Sequence, residues 1–241
     1  MCKRLLHFVF ILFIVIFGFS IPLTAHAQTV YPLQSKFSDI MMYKSHTSKK
    51  VVALTFDDGP DERFTPPILD VLNKYNITAT FFLLGTRVEK YPNVANRIVQ
   101  EGHDIGNHTY WHPDLTKTGV QNLEWEIEKN EKTIKSVTGV KTDLFRAPYG
   151  ALNESLVKKL GEVSYRGIGW SVDSEDWDGL SADQIKKNVI QAIHPGAIIL
   201  LHSAGHWTQD LSGTVDALDE LIPYLQEEGY EFVTVSELWD M

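Results

Sequence analysis

From Val51 onward, apolar runs of strand length alternate with helical patterns, and no repeat, low-complexity stretch or linker interrupts them. Strands are expected at 51–56, 79–83, 104–106, 143–145, 165–170, 197–201 and 231–234. Helices are expected at 66–75, 94–101, 121–138, 154–160, 183–192 and 216–228, the third carrying Leu123, Ile127, Ile134 and Val137 on one stripe. Near-continuous apolar strands alternating with amphipathic helices indicate an α/β fold in which a parallel sheet is covered by helices. About seven such units suit either a doubly wound sheet or a barrel. The polar residues favour the barrel. Asp57 and Asp58, Asn107 and His108, Arg146, Asp173 and His202 each follow a different strand. Side chains at the carboxyl ends of many strands converge when the strands surround one axis, as in TIM-like barrels. An incomplete (β/α) barrel of about seven units is the expectation.

The first 27 residues stand apart. Lys3 and Arg4 precede an apolar stretch over 5–21, and Ala25-His26-Ala27 is a small-x-small cleavage pattern, which together read as a signal peptide and a secreted or cell-wall protein. An uncleaved N-terminal membrane anchor is the alternative. Residues 28–48 read as a leader and 49–241 as the catalytic domain. Losing a segment with two basic and no acidic residues takes the formal charge from −9 to −11, which argues against nucleic acid as a partner; no protein partner is implied either. The one cysteine, Cys2, lies within the removed segment. A metal site in the mature chain therefore has only His, Asp and Glu to draw on.

Two motifs carry chemistry of their own. In Thr55-Phe56-Asp57-Asp58-Gly59-Pro60, neighbouring strand side chains point to opposite faces, so two adjacent carboxylates share a site only where the strand ends and turns; Gly59-Pro60 supplies the turn. His108 and His112 are spaced to lie on one face of a helical turn. With Asp58 they make a two-histidine, one-carboxylate set that leaves positions open for water and substrate, a catalytic rather than a structural arrangement.

These motifs are joined in order by Arg146-Ala147-Pro148-Tyr149-Gly150, by Asp173-Ser174-Glu175-Asp176-Trp177 and by Leu200-Leu201-His202. With all five in register, the chain over 51–238 resembles the polysaccharide deacetylase family, the carbohydrate esterases that include chitin and peptidoglycan N-deacetylases. The resemblance implies a distorted, incomplete (β/α) barrel and one divalent metal ion, zinc or cobalt, held by Asp58, His108 and His112. It implies that Asp57 is the general base, that Arg146 orients it, and that the Tyr149 N–H donates to the oxyanion. His202 becomes the general acid and Asp173 the residue that tunes it. Pro148 fixes the peptide before Tyr149, while Trp177 and Leu200 line a pocket for the acetyl methyl. The implied reaction is hydrolysis of the N-acetyl group of N-acetylglucosamine units, peptidoglycan first and chitin-type chains second. Pro60, which muramic-acid deacetylases commonly replace by tyrosine, favours glucosamine.

Other readings stay open on sequence alone: an O-acetyl xylan esterase with the same machinery, an inactive carbohydrate-binding homologue, or a two-histidine, one-carboxylate iron oxygenase. The last accounts for neither Asp57 nor the Arg146 and His202 motifs. His103 and His194 sit at strand starts and read as structural. His206 and Trp207 follow the His202 loop and read as the rim of the site.

Overall fold

The strand that leads the domain, Val51–Asp57, is buried at all seven positions in a computed structural model that describes residues 31–241. The segment 1–27, expected as an export signal, lies outside the described residues. Among the described residues the strands are β1 (Met41–Met42), β2 (Val51–Asp57), β3 (Thr80–Leu83), β4 (Asp104–Asn107), β5 (Leu144–Phe145), β6 (Arg166–Ile168), β7 (Val172–Asp173), β8 (Ala197–His202) and β9 (Glu231–Phe232). They form a parallel sheet in the order β1-β6-β5-β4-β3-β2-β8-β7, with β9 paired to the start of β2.

The period of two along the strands divides the core into two layers. Val52, Leu54 and Phe56 of β2 point outward, with Phe81, Leu83, Ile199 and Leu201, onto the helices Thr65–Lys74 and Ser212–Glu227. Ala53 points inward with Phe82, Leu144, Ile168 and Ile198, where Val235 and Leu238 of the helix Val235–Trp239 pack against them. Thr55 and Asp57 share the parity of Ala53, so the polar end of β2 sits on the inner face above an apolar floor. The sheet is an incomplete barrel whose order ends at β1 on one side and β7 on the other.

The stretch expected as one strand over 165–170 divides at Gly169. The Gly169 N–H donates to Met42 O at 2.8 Å, and two residues later the Ser171 N–H donates to Ile198 O at 3.0 Å. Three residues thus carry the chain from the β1 edge to the β8 edge. A Cβ on Gly169 would meet the Tyr43 ring at 2.2 Å, so this crossing requires glycine. Part of the stretch expected as a leader also belongs to the sheet. The helix Pro32–Lys36 precedes β1, and buried Gln34 accepts from the Tyr43 N–H at 2.7 Å while donating to Lys44 O at 2.9 Å. A two-residue edge strand is too short to leave a periodicity in the sequence.

Candidate active site

Five loops at the carboxyl ends of the strands build the site. In the β2–β8 register Asp57 lies directly opposite His202, and the Ser203 N–H donates to Asp57 O at 3.0 Å. The residue after Asp57 leaves the strand: Asp58 has φ 68°, in the left-handed region. That reversal puts neighbouring carboxylates in one cavity.

Arg146, one residue past β5, is fully buried inside the barrel. Its Nη1 donates to Asp57 Oδ1 and to Thr55 Oγ1, both at 2.8 Å, and its Nη2 and Nε donate to the carbonyls of Gly169 and Ile168 at 2.9 and 3.2 Å. The guanidinium also stands 4.2 Å from the Phe82 ring centroid. Burial pulls the Arg146 pKa down, and Asp57 opposes it. With the guanidinium fixed by the Gly169 and Ile168 carbonyls, Nη1 anchors Asp57 Oδ1, and the second carboxylate oxygen lies 3.8 Å from His108 Nε2.

Asp58, His108 and His112 converge as the spacing implied, with one donor atom from each within 4.8 Å of the others. They do so without the expected helical turn. Residues 108–112 form a loop in which Thr109 (φ 71°) and His112 (φ 64°) are both left-handed. Asp58 Oδ1 lies 3.4 Å from His108 Nε2 and 3.3 Å from His112 Nε2. Donors bound at the usual 2.0–2.2 Å to a tetrahedral cation stand about 3.3–3.6 Å apart, which matches these separations. Asp58 Oδ1 is buried and has no hydrogen-bond partner among the described residues, a costly state for a carboxylate oxygen unless a cation meets it. His108 Nδ1 lies 2.8 Å from Arg146 O; donation there leaves the Nε2 lone pair turned to Asp58 and His112. Burial and the neighbouring His108 lower the His112 pKa to about 4, so its ring is neutral. For His108 burial acts in the lowering direction, but Asp57 and Asp58 outweigh it and the pKa is raised. The donor set and its spacing fit a divalent metal with positions left open.

On the other side stands His202. Its Nδ1 lies 2.8 Å from Asp176 Oδ1, and its N–H donates to Asp176 Oδ2 at 2.8 Å. Asp176 is buried and also accepts from Thr214 Oγ1 at 2.9 Å. Burial acts to lower the His202 pKa, but Asp176, with Asp57 and Asp58, carries it up to about 9. The partner expected for this imidazole was Asp173. Its carboxylate instead accepts from Trp170 Nε1 at 3.2 Å and from the Glu175 N–H at 2.9 Å. Asp173 ends β7, and Glu175, left-handed at φ 57°, turns the chain so that Asp176 comes back over the end of β8.

Pro148 is buried and Tyr149 follows it at φ 61°, with its ring exposed. Among the described residues the Tyr149 N–H donates to no acceptor. The Tyr149 ring meets His112 edge-on at 4.6 Å, with its hydroxyl 3.2 Å from His112 Nδ1. Trp177 is half exposed and Leu200 is buried beneath the β8 end. His103 is structural as expected: its buried Nδ1 accepts from the Ala79 N–H at 3.2 Å. Trp207 is exposed on a loop whose carbonyls at His206, Trp207 and Gln209 accept from Arg63.

The sequence reading passed over Glu126 and Asn130. Both are buried on the helix Val120–Thr138 and bond the His108–His112 loop. Their signal was present, since they lie three and seven residues after Leu123, on the side of the helix that faces the core.

Comparison with known proteins places these residues in a context. A polysaccharide deacetylase family model matches residues 44–168. The chain is 47% identical over 194 residues to a peptidoglycan-N-acetylglucosamine deacetylase of Bacillus cereus, covering 80% of this chain and 69% of that one. It is 40% identical to the peptidoglycan-N-acetylglucosamine deacetylase PgdA of Listeria monocytogenes, covering 81% of this chain but only 40% of the longer relative. Among solved structures it is similar to the Bc1960 peptidoglycan N-acetylglucosamine deacetylase, with 41% identity, a TM-score of 0.83, and coverage of 88% of this chain and 98% of that one.

Proposed function

Because the chain belongs to the polysaccharide deacetylase family, we propose that it hydrolyses the N-acetyl group of N-acetylglucosamine units, in peptidoglycan first and in chitin-type chains second. The observation that carries this reading is the Asp58–His108–His112 cluster set between two oriented groups, Asp57 on Arg146 and His202 on Asp176. Asp58 Oδ1 and the Nε2 atoms of His108 and His112 would hold one divalent cation, zinc or cobalt. Such an ion supplies a Lewis acid for a carbonyl oxygen and makes water acidic enough to attack near neutral pH.

The protein's own residues divide the rest of the work. Asp57, aimed by Arg146 through the 2.8 Å bond to Oδ1, accepts the proton of the attacking water. As the acetamide carbonyl becomes tetrahedral its oxygen gains negative charge. The Tyr149 N–H, free of other acceptors and fixed behind Pro148, donates to that oxygen. The amine is a poor leaving group and must be protonated as the C–N bond breaks. His202 carries the proton for that step, and Asp176 keeps the imidazolium stable and correctly turned. Asp176 thereby takes the role that the resemblance implied for Asp173. Trp177 and Leu200 border the space for the acetyl methyl.

Export completes the reading. The basic, apolar and small-residue pattern of residues 1–27 supports a signal peptide, and an acidic mature protein at the cell wall or outside the cell. Sequencing the N-terminus of protein recovered from culture medium should give Gln28; an intact N-terminus in the membrane fraction would show the anchor instead.

The deciding experiment is acetate release from N-acetylglucosamine oligomers, peptidoglycan and acetylxylan, with chelated and with zinc- or cobalt-loaded protein. Release from the N-acetylated glycans only after metal addition is expected. Activity confined to acetylxylan would make the chain an O-acetyl esterase, and binding without release on every substrate would make it an inactive homologue.

A further inference from the structure

We infer that Glu126, with Asn130, is a positioning residue for the metal site: its carboxylate holds the backbone that presents His112. This inference rests on the metal reading above and goes beyond the ligands themselves.

The loop 108–112 has no secondary structure to hold it, and two of its residues are in the left-handed region without being glycine. Each such residue costs on the order of 1 kcal/mol. Something outside the loop must fix it. Every N–H of the loop has an acceptor. That of His108 donates to Leu83 O at 3.1 Å, that of Thr109 to Asn107 Oδ1 at 2.9 Å, and that of His112 to Thr109 Oγ1 at 3.0 Å. The two at the apex, of Tyr110 and Trp111, both donate to one atom, Glu126 Oε2, at 2.7 and 2.9 Å.

Glu126 is 3% exposed and forms no ion pair among the described residues. A buried carboxylate without a cation is retained when backbone N–H groups solvate it, and hydrogen bonds to a charged acceptor are about twice as strong as neutral ones. One turn further along the same helix Asn130 Nδ2 donates to Thr109 O and to Leu83 O at 2.8 Å, and to Asn107 Oδ1 at 3.0 Å. The helix Val120–Thr138 therefore grips the loop at the apex through Glu126 and at its start through Asn130. Neither side chain belongs to the donor set of Asp58, His108 and His112. They act through the peptide groups between the two histidines, so they govern the separation of the two ring nitrogens.

The test is metal affinity, read by competition with a chromogenic chelator, and the visible absorption of the cobalt-loaded protein, which reports ligand geometry. Glu126→Ala is expected to weaken zinc binding about 10–100-fold, the usual cost of losing a group that orients a ligand, and to alter the cobalt spectrum. Glu126→Gln, which can still accept from both N–H groups, should stay within about threefold of the parent by that same scale. Wild-type affinity and spectrum in Glu126→Ala would overturn the inference. So would a loss in Glu126→Gln as large as that in Glu126→Ala, because charge and not loop geometry would then be the cause. Should Glu126→Ala not fold, Glu126→Asp carries the test: it keeps the charge but draws the carboxylate back from the loop, and unchanged affinity there overturns the inference equally. His112→Ala separates the two levels. If the unaltered protein binds zinc no better than His112→Ala, the metal reading itself has failed; if it binds better and Glu126→Ala matches it, only the role of Glu126 falls.

Discussion

The two ends of the barrel are built on opposite principles. At the amino-terminal end of β2 the helix Val235–Trp239 closes the floor with Val235 and Leu238, both fully buried, and starts with a complete capping box between Thr234 and Glu237. Two left-handed residues at this end, Asn76 and Ser164, each lie two residues beyond a helix, Thr65–Lys74 and Glu154–Glu162, where chains ordinarily reverse. At the carboxyl end Asp58, Thr109, His112, Tyr149 and Glu175 are all left-handed, and none of them ends a helix of regular length. Buried charge is concentrated there too, in Asp57, Arg146 and Asp176. Strain and buried charge thus sit where ligands and proton carriers must be aimed, and the apolar floor supplies stability that the site end does not.

The sharpest way to break this division is to cut each end separately. Asp57→Ala and His202→Ala should lower kcat for acetate release about 10²–10⁴-fold while the circular dichroism spectrum stays that of the parent; full activity in either would end the proton-transfer assignments. Leu238→Ala should do the reverse. Truncating a buried leucine costs about 2–5 kcal/mol of unfolding free energy, read by denaturant melts, with kcat/KM of the folded protein unchanged at 25 °C. A large fall in kcat/KM there would mean that the floor also shapes the site.

A smaller effect tests the choice between two acids. With the His202 pKa up at about 9, the acid form persists above neutral pH, and kcat/KM should decline on the alkaline side as that proton is lost. A cation at Asp58 removes part of the anionic support, so in the loaded enzyme this limb lies below 9, while the Asp176 contribution, the largest of the raising ones, survives. Asp176→Asn should move it down by about 1–3 pH units; Asp173→Asn should leave it in place. The same group links pH to stability. Its folded pKa exceeds the unfolded value of 6.5, so the stabilisation is complete below pH 6.5 and is lost as pH rises through 9. Asp176→Asn should flatten that decline.

The sequence made the site end easier to read than its geometry. Strand ends advertise themselves where an apolar run stops at a polar residue, and Asp57, Asp58, His108, Arg146 and His202 stand at such points; so does Asp173, whose place at a strand end does not reveal that its carboxylate turns to Trp170 and Glu175. What failed was the path of the chain between such points. Asp173 and Asp176 are three residues apart in an acidic stretch, and nothing in composition says that Glu175 turns left-handed between them. The histidine spacing suggested a helical turn because four-residue spacing is helical by default, whereas the observed loop depends on Glu126 and Asn130 from a distant helix. Glu126 itself lies between Glu124 and Glu128, so that its burial was masked by two acidic neighbours that face solvent more. At the floor the Thr234-to-Glu237 capping box was legible and passed over, because the last strand was read across it.

The smallest prediction contrasts the left-handed residues themselves. Glycine adopts positive φ without the Cβ penalty. Asn76 makes no side-chain hydrogen bond among the described residues and closes a helix, so Asn76→Gly should change stability by no more than about 1 kcal/mol in either direction and leave metal affinity and kcat/KM as they are. Thr109→Gly relieves the same backbone strain but deletes Oγ1, which accepts from the His112 N–H at 3.0 Å. Thermal melts of the metal-free variants should then place Asn76→Gly near the parent and Thr109→Gly lower in stability by at most about 1–3 kcal/mol, the cost of an unpaired N–H, while zinc affinity falls several-fold in Thr109→Gly alone. If Thr109→Gly binds zinc as tightly as Asn76→Gly, the left-handed turns at the site end are ordinary chain reversals, and the difference between the two ends reduces to where the charges are.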